Sequence, residues 1–109
     1  MPAPDPVLLC FTTCPDEDSA TRLAEALVGA RLAACVSRLP GLVSTYRWQG
    51  EVAREHEQQL IIKTTAGRFA ALKMRLVELH PYALPELLAL PVADGLPAYL
   101  DWVRAGVAD

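Results

Sequence analysis

The sequence predicts an α+β fold of the ferredoxin-like kind, ordered β-α-β-β-α-β, with an extended hairpin between the second and third strands and a C-terminal helix. Three observations predict it. Apolar residues recur at helical spacing in two stretches, Ala20 to Val28 and Phe69 to Leu79. Between them lies a long run rich in β-branched and aromatic residues that doubles back at Gln49-Gly50. Short, continuous apolar runs precede the first helix and follow the second. Helices placed between strands one and two and between strands three and four can cover one face of a four-stranded sheet. The other face is then left open. In this chain it would be apolar, and an exposed apolar sheet face is an association surface.

Each element follows in order. Residues 7–11, Val-Leu-Leu-Cys-Phe, read as a buried strand. Thr12, Thr13 and Cys14 lead into Pro15-Asp16-Glu17-Asp18. Proline suits the first turn of a helix, where its missing N–H costs nothing, and the carboxylates sit at the positive end of the helix dipole. That helix is expected over about residues 16–31, with Ala20, Leu23, Ala24, Leu27 and Val28 as its apolar stripe. The second strand region, 35–48, contains Pro40-Gly41, which demands a kink or bulge. Residues 42–64 read as a long hairpin whose very polar outer part, 53–59, projects past the core. A second helix, 66–80, has Phe69, Leu72, Leu76 and Leu79 on its stripe, Thr65 as N-cap and Pro81 as its stop. Residues 87–92 form a short last strand closed by Pro91, Asp94-Gly95 turns, and a third helix begins over 96–103.

Composition narrows the class. The 109 residues suggest one domain spanning 1–109. At 52% hydrophobic and 21% charged, the chain is too apolar to be disordered. A domain this small buries only about two-thirds of its unfolded surface, so the apolar surplus points to a subunit interface. Net charge is −3 and lysine occurs only as Lys63 and Lys73, which argues against a nucleic-acid partner. No run of about 18 apolar residues exists, so no membrane partner is expected. Residues 1–6 lack a basic, signal-like start. Three cysteines, Cys10, Cys14 and Cys35, are an odd count that fits free thiols in a reducing, cytoplasmic setting.

Several segments carry a resemblance. They are Thr13-Cys14-Pro15-Asp16-Glu17, Leu32-Ala33-Ala34-Cys35-Val36, Leu39-Pro40-Gly41 and Tyr46-Arg47-Trp48-Gln49-Gly50. Ile62-Lys63-Thr64-Thr65, Leu79-His80-Pro81-Tyr82, Pro85-Glu86-Leu87, Leu90-Pro91-Val92 and Tyr99-Leu100-Asp101-Trp102 continue them. In this order and over nearly the whole chain, the sequence resembles the divalent-cation tolerance (CutA) family. The resemblance implies a ferredoxin-like subunit in a tight homotrimer, with the hairpin reaching across to a neighbouring sheet. It also implies cytosolic residence and a link to copper and other divalent cations, with no organic cofactor.

Two constellations are candidate sites. Cys10 and Cys14, four apart in an extended strand, would lie about 13 Å apart, too far to share one zinc ion. The resemblance implies instead an intersubunit copper site made of a cysteine near the end of the first strand and two adjacent histidines. Here those positions hold Thr12, Leu79 and His80, which leaves His80 as the metal ligand, with Cys14 as the thiol that would replace the missing one. The alternative reading makes Cys14 a residue leading into the helix and His80 a capping or packing group. The second constellation is Trp48, Lys63, Tyr82 and Glu86, an ammonium, a carboxylate and aromatic walls suited to a ligand pocket between subunits. Its alternative is a structural ion pair. Glu51, Glu55, His56 and Glu57 near the hairpin tip suggest a weak cation site or a solvated tip.

No phosphate loop, nucleophile elbow or nucleophile–base signature is present, so no enzyme is expected. Three functions stay open: a metal-response protein, a trimeric small-ligand or signalling module resembling the nitrogen-regulatory signalling proteins, and a trimeric scaffold for a protein partner.

Overall fold

The computed structural model describes residues 3–108. Its elements are β1 (Val7–Cys14), α1 (Glu17–Gly29), β2 (Cys35–Trp48), β3 (Glu51–Thr65), α2 (Ala66–Leu79), β4 (Leu88–Pro91) and α3 (Pro97–Val107). The four strands form one sheet in the order β2-β3-β1-β4, with every neighbouring pair antiparallel. This is the ferredoxin-like α+β arrangement that the alternation of periods predicts.

Alternation along β1 and β3 divides the sheet into two faces. Cys10, Cys14, Leu60 and Ile62 point to one face and pack with Leu23 and Leu27 of α1 and Leu72 and Leu76 of α2. All eight of these are nearly or fully buried, and they make the main core. The second face is less open than expected. Lys63, opposite Leu9 and Cys35, points to it, and its Nζ lies 5.7 Å from the ring centre of Tyr99 on α3. The third helix therefore crosses part of this face and buries its own Val103 and Val107.

The local rules set most boundaries, and the departures have physical causes. The first strand runs on to Cys14 because Thr12, Thr13 and Cys14 pair with Leu60, Gln59 and Gln58. Asp16 stands outside α1 as its N-cap, its Oδ1 accepting from Ser19 N–H at 2.8 Å. The helix stops at Gly29, and Arg31 takes a left-handed φ of 59° while Leu32 and Ala33 N–H groups donate back to Leu27 O. The ladder slips between Leu39 and Leu42, at the Pro40-Gly41 bulge, where Gly41 has φ 79°. Gln49 and Gly50 are both left-handed, at φ 50° and 83°, which makes the two-residue turn that suits a twisted hairpin.

Three expectations need correction. Thr65 occupies the N-cap position of α2 but its hydroxyl caps nothing. The cap comes from far along the chain instead: Asp5 Oδ1 accepts from Gly67 N–H at 2.9 Å and Pro6 O from Ala66 N–H at 2.8 Å. The last strand is only Leu88–Pro91, while the third helix begins where expected and runs Pro97–Val107. The projecting part of the hairpin begins beyond Glu57, because Glu57 is 8% exposed and Gln58 and Gln59 are half-buried. The long hairpin makes the molecule 52 × 26 × 22 Å. Among the described residues no helix is long and apolar enough to cross a membrane.

Candidate functional site

The end of β1 and the end of α2 meet in the core. Pro81 stops α2, and His80 leaves the helix with ψ 137°, which turns its ring inward beneath Thr13 and Cys14. Its Nε2 lies 2.8 Å from Thr13 O and 3.8 Å from Cys14 Sγ. A carbonyl only accepts, so Nε2 carries the proton. Its Nδ1 accepts from Tyr82 N–H at 3.1 Å, which fixes the neutral tautomer. Burial holds the imidazole below its ordinary value of 6.5, against the smaller opposing pull of the Thr13 carbonyl and Glu57. Burial pushes the Cys14 thiol up to about 11, helped by Asp16 and Glu57. Cys10 is likewise pushed up to about 11 by burial.

The fold thus brings the two metal candidates, His80 and Cys14, together. Their separation suits an ion about 2.3 Å from sulfur and about 2.0 Å from nitrogen. Yet both ring nitrogens are engaged and the thiol holds its proton. Among the described residues no group of three or more His, Cys, Asp or Glu is placed to hold a metal ion. Within the described residues the chain thus brings together two candidate donors, His80 and Cys14. Thr12 is fully buried with its hydroxyl unpartnered, while Leu79 is on the surface.

Next to this pair is a cavity of about 600 Å³ between the hairpin and the 81–87 loop. Ser44 of β2 stands opposite Glu55 of β3, and alternation carries Tyr46, Trp48 and Glu57 onto the same face. The loop brings Tyr82 and Glu86 to the opposite wall. Tyr82 OH donates to Glu57 Oε2 at 2.7 Å, and burial followed by Glu57 raises the phenol far above its ordinary range. Partial burial, then Glu57, raises the Glu86 carboxyl. The lining contains three carboxylates, Glu55, Glu57 and Glu86, and no Lys, Arg or His.

Three of the four residues in the second constellation, Trp48, Tyr82 and Glu86, meet at this cavity. Within one chain Lys63 does not. It sits under α3, its Nζ 4.0 Å from Cys35 Sγ and over the Tyr99 ring. His56 pairs with Val43 on the face opposite Glu55 and Glu57, so the hairpin-tip residues do not converge. Tyr99 and Trp102 stack on α3 with ring centres 5.5 Å apart. Sequence reasoning missed Glu57 as a wall residue, although it shares the odd positions of β3 with Ile61, which was signal enough to place it on that face.

Residues 8–106 match the family described as CutA1 divalent ion tolerance protein. The chain belongs to this family. A Divalent-cation tolerance protein CutA from Thermus thermophilus is 54% identical over 92 residues, covering 84% of this chain and 89% of that protein. The crystal structure of CutA from Xylella fastidiosa superposes with a TM-score of 0.91 at 52% identity, covering 94% of this chain and 98% of that one. A protein described as the periplasmic divalent cation tolerance protein CutA from Archaeoglobus fulgidus superposes with a TM-score of 0.90 at 31% identity, covering 94% and 99%. The CutA match spans β1 through nearly all of α3, so it includes the His80 and Cys14 pair and every wall of the cavity.

Proposed function

We propose that this CutA-family chain is a non-enzymatic, cytoplasmic homotrimer that serves divalent-cation tolerance, copper foremost. It meets the ion through His80 and Cys14 only where a neighbouring copy completes the donor set. The observation that carries this is the 3.8 Å approach of His80 to Cys14 within a chain that matches the family over residues 8–106. Two donors leave zinc or Cu(II) short of a full set, and His80 Nε2 already bonds Thr13 O at 2.8 Å, so the remaining ligands would come from outside one chain. Three unpaired cysteines support a reducing compartment.

Copper titration of the reduced protein tests the reading. Saturable binding is expected near one ion per chain, lost in both His80→Ala and Cys14→Ser. Tight binding that survives both substitutions, or no binding by the unmodified protein, would overturn it.

A further inference from the structure

We propose that Cys35 and Lys63 are a modification site: under peroxide they form a reversible covalent cross-link, a sulfur–oxygen–nitrogen bridge from Sγ to Nζ. This goes beyond the metal reading and uses neither Cys14 nor His80.

The sheet itself builds the pair. Cys35 opens β2 and stands directly opposite Lys63 of β3 in the antiparallel ladder. Side chains so opposed share one face, with their Cβ atoms about 5 Å apart. Lys63 Nζ donates toward Cys35 Sγ at 4.0 Å, close enough for one inserted oxygen to join them after a small change of lysine rotamer. Both residues belong to one chain and are set by its own register, so every copy in an assembly carries the pair, whichever surfaces its neighbours cover.

Lysine is among the most mobile side chains, and ordering one costs entropy. Here it is ordered on two sides, by the thiol and by the Tyr99 ring, whose centre lies 5.7 Å from Nζ. Of the three thiols, only Cys35 has an amine beside it. Cys10 is fully buried in the apolar core, and Cys14 has the His80 ring as its neighbour. Burial also pushes both core thiols up to about 11, so they keep their protons, whereas peroxide attacks the thiolate.

The chemistry balances with two molecules of hydrogen peroxide. The first gives Sγ an oxygen as its O–O bond breaks; the thiol becomes a sulfenic acid and one water leaves. The second does the same at the deprotonated amine, leaving a hydroxylamine and a second water. The two hydroxyl groups then condense, so that the S–O–N bridge remains and a third water departs. Sulfur and nitrogen each lose two electrons, and each peroxide gains two. Two equivalents of a dithiol return the thiol, the amine and one water. Closing the bridge draws Nζ toward β2 and off Tyr99, whose ring stacks on Trp102, so the state of the pair reaches α3.

The test treats the reduced protein in its native assembly with hydrogen peroxide and weighs its tryptic peptides. The peptide of residues 32–38 is expected joined to that of residues 55–68, heavier than their sum by one oxygen less two hydrogens, and parted again by dithiothreitol. The joined peptide is expected to vanish in Cys35→Ser and in Lys63→Arg, which keeps the charge but offers no primary amine. Reductive dimethylation of the folded protein blocks the same nitrogen without a substitution and is expected to give the same loss. Unchanged mass by light scattering before peroxide would show that the variants fold and assemble.

Cys35 carried on to sulfinic acid with Lys63 unmodified would overturn the proposal. So would a disulfide between the Cys35 residues of two copies, a joined peptide that persists in Lys63→Arg, or no reaction at Cys35.

Discussion

His80 keeps its proton on Nε2 because that N–H donates to Thr13 O, and it stays neutral because the core surrounds it. That has a signed consequence for stability. The unfolded chain protonates this imidazole near its ordinary value of 6.5, whereas the folded chain resists until lower pH. Its contribution is therefore present above 6.5 and is lost as pH falls through the depressed folded value. Glu86 works the other way. Its folded carboxyl holds a proton to higher pH than the ordinary 4.5, so its contribution is present below 4.5 and is lost as pH rises. Urea midpoints between about pH 7.5 and about pH 5.5 should fall in the unmodified protein and fall less in His80→Gln. Equal slopes in the two proteins would contradict the assignment. The sequence announced His80 as a special histidine beside a helix-stopping proline. It did not say that both nitrogens would be consumed within the chain, because Thr13 is 67 residues away.

The secondary elements were legible where local chemistry decides them. Gln49-Gly50 and Pro40-Gly41 name their own turn and bulge, and the apolar stripes of α1 and α2 name their own buried faces. The rest depended on partners remote in sequence. The cap of α2 comes from Asp5, 62 residues upstream, so the nearby Thr65 was the natural but wrong choice. Polarity alone assigned Glu57 to the solvated tip, whereas ladder register puts it inside a cavity wall. The docking of α3 on the second face was hidden for the same reason. Gly106 lies where α3 meets the loop before β2, and a Cβ built there would stand 2.9 Å from Ala34 Cβ. Gly106→Ala is expected to destabilise the protein by about 1–3 kcal/mol through overpacking. A stability equal to the unmodified protein in urea would show that the helix shifts freely and is loosely held.

At the scale of the whole molecule, much apolar surface still faces outward. Leu88 and Leu90 of β4 are 58% and 51% exposed, and Trp48 and Val52 stand at the far end of the hairpin. The two edge strands, β2 and β4, also carry unpaired backbone groups, a condition that natural sheets cover or blunt. Light scattering at low micromolar concentration should give three times the 11.8 kDa of the chain. A monomer mass would remove the trimer and the borrowed metal ligands together.

The position of α3 also ties together helices that lie on opposite faces of the sheet. Asp5 O accepts from Arg104 Nε of α3 at 2.7 Å, and Oδ1 of the same residue accepts from Gly67 N–H in the first turn of α2 at 2.9 Å. One residue ahead of β1 thus carries load from one layer to the other, so a force that lifts α3 also draws on the start of α2.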